Sequence, residues 1–364
     1  MTTLSTATAP HVASNLDEVE DWFGARVAEI DADRAPTRGG LGWLGERGLL
    51  DLGAPGLPGS LADMVAIVRA VARQDLASAF SVWAHRAVIE YLARWGGERD
   101  AGTLDALRRG ARPGSTAMAS AFQQAAGLGE LTVTATPIDG GWRLDGQVRW
   151  ASNLYPDTVV VLPAATTGSR DPDDGHDLVV ALPLDREGVE VRDEPPLLAL
   201  QATRSSSIRL EGIEVTGDEV LTERIDPFLA SVRPAFLLLQ SAFCLGLAEA
   251  AAASARDRLD GAAAVFAEDA DSLEGRLRTS DARLAALAAE ADASTTACDA
   301  GELLALRLEV AGLAGEATTL ETTVAGGAGY LRTSPTARRL REAAFLPVQS
   351  PTEAQLRWEL SRSA

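Results

Sequence analysis

The chain has 364 residues, 46% hydrophobic and 5% aromatic, with a formal net charge of −19. That charge excludes a nucleic-acid surface, which needs a basic face to displace counterions, and it argues equally against an anionic membrane surface. The length suits two or three packed units, and every fixed cation is arginine, so an anionic ligand would require a local arginine cluster against the overall field.

The first region, 1–117, reads as helical. Met1 to Leu16 carries no basic stretch followed by an apolar run, so no signal peptide is expected. Leu16 to Ile30 mixes charge with helical apolar spacing. Ser60 and Asp63 form a start signal after Pro58-Gly59, and Leu61, Met64, Val65, Val68 and Val71 repeat on one face. A second helix holds Phe80, Trp83, Ala84, Ala87, Val88 and Tyr91 and stops at Gly96-Gly97. His85 on that helix reads as a satisfied structural histidine.

The second region, 118–228, changes period. Leu131, Val133 and Ala135 alternate, Pro137 to Gly141 turns, and Trp142, Leu144, Val148 and Trp150 are expected to share one strand face. Five further short strands follow: Val159–Leu162, Leu178–Leu182, Val189–Val191, Ile208–Leu210 and Ile213–Val215. Strands without intervening helices point to an antiparallel sheet or small barrel. Thr167 to His176 reads as a surface loop.

The third region, 229–364, returns to helix, near Pro234–Asp260, Leu273–Ala293, Gly301–Val324, Pro335–Phe345 and Thr352–Ser361. Long helices with near-antiparallel connections suggest a four-helix bundle. The most apolar window, Phe236 to Ala255, is interrupted by Gln240 and Glu249 and reads as a core helix, not a membrane span. Cys244 and Cys298 read as buried small residues. With His11, His85 and His176 scattered, no metal-ligand cluster is expected. The fold class is α+β and multi-domain, and a cytoplasmic location is expected.

Four motifs carry the chemistry. Gly141 to Asn153 reads Gly-Trp-Arg-Leu-Asp-Gly-Gln-Val-Arg-Trp-Ala-Ser-Asn. Gly326, Gly327 and Gly329 form a Gly-Gly-x-Gly turn before Tyr330. Arg338-Arg339-Leu340-Arg341-Glu342-Ala343 follows, and Ser350-Pro351-Thr352 lies beyond it. Order and register together resemble the acyl-CoA dehydrogenase superfamily of flavoproteins, over nearly the whole chain.

That resemblance implies FAD, with FMN as the alternative. It implies that Trp150 covers one flavin face and that the Ser152 hydroxyl bonds near the reactive nitrogen. An aromatic neighbour and hydrogen-bond donors suit a planar redox ring. Ser120 takes the place of a threonine that bonds the pyrimidine edge, within Met118–Phe122, where the family has a loop. Gln123 and Gln124 are new polar groups there, as easily loop surface as substrate contacts. Gly326, Gly327 and Gly329 would approach a dinucleotide held mainly by a neighbouring subunit, which implies a homodimer or homotetramer. Thr352 belongs to the flavin loop. Arg258 is a candidate for the pyrophosphate, beside its plain reading as an exposed helix-end cation. In Leu200–Ser207, the place of a family arginine holds Gln201.

The catalytic base departs from the pattern. The family's glutamate position is Ser350, and the second known base position falls near Phe236. Serine has no useful pKa for taking an α-proton. Glu353 is the nearest carboxylate, one helical turn away. The expectation is therefore a flavin-dependent oxidoreductase that dehydrogenates an acyl thioester or acyl-like substrate with an atypical base. The alternatives are a two-component monooxygenase using reduced flavin and O2, and a catalytically silent partner subunit. An electron-transfer or flavin-reductase partner would accompany the enzyme readings.

Overall fold

The computed structural model describes residues 12–167, 177–294 and 298–363. His11, His176 and most of the surface loop expected from Thr167 lie outside them.

The N-terminal helices are α1 (Val12–Gly24), α2 (Val27–Asp31), α3 (Arg38–Glu46), α4 (Leu61–Gln74), α5 (Leu76–Trp95) and α6 (Ala101–Arg108). Ser60 caps α4 as its spacing predicts: its side chain accepts from Asp63 N, and the Asp63 carboxylate accepts from Ser60 N. Asp75 caps α5 by accepting from Ser78 N. On α5, His85 is fully enclosed. Its Nδ1 accepts from Gly114 N at 2.9 Å, and its Nε2 lies 3.0 Å from Leu107 O, to which it donates. The structural reading of this histidine holds.

The sheet is built from β1 (Gly114–Thr116), β2 (Val133–Ile138), β3 (Gly141–Ala151), β4 (Val159–Thr166), β5 (Leu178–Pro183), β6 (Val189–Val191), β7 (Ser206–Thr216) and β8 (Val220–Thr222), with a short helix α7 (Ala119–Ala125) after β1. The strand order is β6-β7-β3-β2-β4-β5-β8, with β1 on β4. Most pairs are antiparallel, but β1 and β2 each run parallel to β4, so the sheet is mixed. The two last strands expected separately are one strand, β7. Its Glu211-Gly212 step is a bulge against β3, with Gly212 at φ +64° donating its N–H to Asp145 Oδ1 at 2.7 Å.

The C-terminal helices are α8 (Ile225–Arg256), α9 (Ala267–Ala293), α10 (Ala300–Gly329), α11 (Pro335–Ala343) and α12 (Glu353–Ser363). Helix α8 begins nine residues before Pro234 and runs through it. Proline removes the bond to the Ala230 carbonyl, and Ala230 is exposed, so water can satisfy that carbonyl. Although α8 is long and apolar enough to cross a membrane, 89% of its most apolar window is buried inside the protein. Gly246 lets α8 approach α4, because a Cβ there would sit 2.4 Å from Arg69 O.

Two cores result. One joins the N-terminal and C-terminal helices around α8; the other, smaller, fills the sheet with Val133, Leu144, Val148, Ala151, Val180 and Ile208 among others. Cys244 is buried and Cys298 half-buried, and neither is bonded to the other.

Candidate active site

The site lies where the two cores meet. The end of β3, the β6–β7 connection, α5, the β1–α7 segment, α8 and the α11–α12 connection enclose a cavity of ≈ 590 Å³. That volume is in the range of small-molecule sites.

Trp150 reaches the cavity through a bulge. Val148 pairs with Ile208 and Ala151 with Ser206, so Arg149 and Trp150 together oppose only Ser207. Strict alternation would put Trp150 on the buried face with Leu144 and Val148. The bulge places Ala151 there instead, and Trp150 is 57% exposed at the cavity wall. The expectation of one shared face is corrected accordingly. Beyond the bulge, Asn153 adopts φ +59°. Its Nδ2 donates to Ser81 O and Gly114 O, and its N–H to Thr203 O. These bonds tie the strand end to α5, β1 and the β6–β7 connection. Ser152, between Trp150 and Asn153, also lines the cavity.

Ser350 and Thr352 line the same cavity. The Ser350 carbonyl accepts from Gln240 Nε2 at 2.9 Å and from Gln349 Nε2 at 2.8 Å. The buried Arg307 guanidinium orients both amides, with Nε donating to Gln240 Oε1 at 3.1 Å and Nη2 to Gln349 Oε1 at 2.7 Å. With its carbonyl held, Ser350 keeps a buried Oγ with no hydrogen-bond partner in the protein. Ser350 lines the cavity, but this Oγ is closed to it and would meet a ligand atom only if the side chain turned outward. Thr352 Oγ1 accepts from Gln355 N, which leaves its proton available.

The candidate residues thus fall into two groups. Trp150, Ser152, Ser350 and Thr352 share the cavity. Arg258 and the glycine turn lie elsewhere, in contact through one network. Arg258 donates to Ser254 O and Oγ, Ser254 Oγ donates to Glu321, and Thr336 Oγ1 donates to the same carboxylate. Thr336 in turn packs on Gly329. Gly326 breaks α10 with φ +58° and ψ −147°, and Gly326 and Gly327 are exposed. Arg339 also donates to Glu321, whose carboxyl sits below its ordinary range because these donors outweigh burial.

Three placements differ from expectation. The Met118–Phe122 segment is not a loop; Ala119–Ala125 forms α7. It is held by α12, where Gln355 Nε2 donates to Phe122 O and Trp358 Nε1 to Ala126 O. Ser120 is half-buried and does not line the cavity, while its neighbour Ala119 does. Of the two glutamines, Gln123 lines the cavity, while Gln124 bonds Asp177 and Leu131 N. Glu353 does not line the cavity and pairs with Arg357 at 2.8 Å. Phe236, at the second base position, is a wall residue. Among the described residues no Asp, Glu or His lines the cavity. Sequence reading missed Gln240, Gln349 and Arg307, because nothing local marks three residues from separate helical segments as one cluster.

No family model matches the chain. The dibenzothiophene monooxygenase of Mycolicibacterium goodii is 33% identical over 135 residues, 34% of this chain and 32% of that protein, so the match spans about a third of that relative's length. Among solved structures, butyryl-CoA dehydrogenase from Megasphaera elsdenii superposes with a TM-score of 0.86 at 16% identity, over 100% of this chain and 99% of that one. PigA with FAD and proline superposes with a TM-score of 0.82 at 16% identity, over 99% of each chain. The chain is a helix–sheet–helix protein. Its fold is that of the acyl-CoA dehydrogenase superfamily.

Proposed function

We propose that the chain is a flavin-dependent oxidoreductase acting on a small, mainly apolar organic substrate. The observation that carries this is a single cavity lined by an exposed Trp150 together with Ser152, Ser350 and Thr352. A flat aromatic wall and a few convergent polar atoms fit an isoalloxazine. Trp150 would cover the ring, Ser152 and Thr352 would meet its polar edge, and Phe80, Trp83 and Phe236 would exclude water. The bound flavin, FAD or FMN, would supply the two-electron chemistry.

Among the described residues the cavity wall holds no carboxylate or imidazole, so none of them stands ready there as a base for an α-proton. Dehydrogenation of an acyl thioester or acyl-like substrate then needs a base from outside the wall, or an acyl-like substrate acidic enough to give its α-proton to water. The base-free wall favours the second reading, a monooxygenase supplied with reduced flavin and O2 by a reductase partner. Proteins named for both chemistries share this fold, and the fold does not choose between them. A homo-oligomer, in which Arg258 and Gly326–Gly329 approach a dinucleotide bound chiefly by a neighbour, accounts for their distance from the cavity.

Anaerobic mixing of the flavin-loaded protein with acyl thioesters tests the first reading, and bleaching of the flavin supports it. Hydroxylated product from reduced flavin and O2, without bleaching, supports the second. A purified protein that takes up neither FAD nor FMN leaves a silent partner subunit.

A further inference from the structure

Three hydroxyls in the cavity wall form a chain. Ser152 Oγ lies 2.7 Å from Ser205 Oγ, Ser205 Oγ lies 2.7 Å from Thr203 Oγ1, and Thr203 Oγ1 donates to Leu200 O at 2.7 Å. Each hydroxyl has one proton to give, and a carbonyl has none. The Leu200 end therefore fixes the direction. Thr203 gives its proton to Leu200 O, Ser205 gives its proton to Thr203, and Ser152 gives its proton to Ser205. Reversing the direction would leave two oxygens 2.7 Å apart with no proton between them.

The chain is held in place. Ser152, Ser205 and Thr203 are 8%, 7% and 0% exposed. Leu200 and Arg204 flank the Gln201–Thr203 turn with φ of +62° and +51°, so the carbonyl at the end of the chain belongs to a fixed turn. Among the described residues no other partner competes for the three hydroxyls. What Ser152 shows to the cavity is lone pairs.

We propose that Thr203 and Ser205 are positioning residues that turn Ser152 into an obligate hydrogen-bond acceptor, so that the site prefers reduced over oxidised flavin. The inference rests on the flavin reading above. The central-ring nitrogen of a reduced isoalloxazine carries an N–H, which Ser152 accepts. The same nitrogen in the oxidised ring is bare, and a hydroxyl whose proton is committed elsewhere opposes it lone pair to lone pair.

The test is anaerobic titration of the full chain with oxidised and with dithionite-reduced FAD and FMN, for wild type, Ser205→Ala and Thr203→Val. In Ser205→Ala, Ser152 regains a free proton, and the ratio of oxidised to reduced dissociation constants falls by about 5- to 10-fold, the worth of one ordinary hydrogen bond. The bound flavin's two-electron potential drops with it by roughly 20–30 mV. Thr203→Val, which leaves Ser205 without its acceptor, moves the ratio the same way and serves alone if the alanine variant does not fold. A folded variant with an unchanged ratio overturns the proposal and leaves the flavin reading standing. Failure of wild type to bind flavin in either oxidation state overturns the flavin reading, and the proposal with it.

Discussion

Gln240 of α8 and Ser350 of the α11–α12 connection are joined by a hydrogen bond of 2.9 Å from Gln240 Nε2 to the Ser350 carbonyl. The two are 110 residues apart, and the bond fixes this part of the cavity wall to the central helix. The other end of the Gln240 amide accepts from Arg307, so one side chain couples a buried cation to the wall. Gln240→Leu keeps the volume but leaves Arg307 Nε unpaired, and should cost about 1–3 kcal/mol in chemical denaturation. Flavin affinity should weaken in the same variant, because the Ser350 segment loses one of two restraints.

Trp150→Ala removes the aromatic wall without touching either core. Stability should change little, since the side chain is 57% exposed. Flavin affinity should fall by about tenfold, matching an aromatic contact of roughly 1–1.5 kcal/mol. Equilibrium titration beside thermal denaturation separates the two effects.

Ser350→Glu places a carboxylate where the wall has none. If the cavity positions an acyl thioester as a dehydrogenase would, the flavin-loaded variant should bleach on anaerobic mixing with thioester while wild type does not. A variant that folds, binds flavin and still fails to bleach would speak for the monooxygenase reading.

Two buried groups give stability opposite pH dependences. Burial holds His85 down to about 4, well below the ordinary imidazole value of 6.5. Its contribution is present above pH 6.5 and is lost as pH falls toward 4, where protonation would break the bond from Gly114 N. Burial pushes Glu342 up to about 7 from 4.5, against the pull of Arg338, with Asp75 and Asp31 adding to the rise. Its contribution is full below pH 4.5 and is lost as pH rises through 7. The two contributions oppose each other in wild type, so Glu342→Gln should make stability rise more steeply with pH between 4.5 and 7 than it does in wild type. Denaturant midpoints across that range check it.

Much of the helical scaffold was legible because its signals are local. The Ser60–Asp63 cap, the apolar repeat of α4 and the stop at Gly96 each depend on neighbours in the chain. The grouping of Trp150, Ser152, Ser350 and Thr352 comes from the resemblance of two motifs to the acyl-CoA dehydrogenase superfamily, not from a local signal, and the four do line one cavity. What escaped depends on distant partners. Trp150 leaves the buried face through a bulge opposite Ser207, and period-two alternation cannot register an extra residue. Pro234 reads as a helix start, but an exposed carbonyl lets α8 continue through it. The 119–125 segment becomes helical where α12 docks on it, and Arg307 reaches its two amides only in the folded bundle.

The central claim is that one flavin ring binds in the cavity lined by Trp150 and Ser350. Anaerobic titration of purified protein with FAD and FMN, oxidised and reduced, followed by tryptophan fluorescence in wild type and Trp150→Phe, tests it most directly. The account predicts saturable binding, with a quench that is smaller in the variant by the share of Trp150, while Trp83 of the same cavity keeps its own. Absence of binding by either flavin in both oxidation states, or binding with an identical quench in Trp150→Phe, would contradict it.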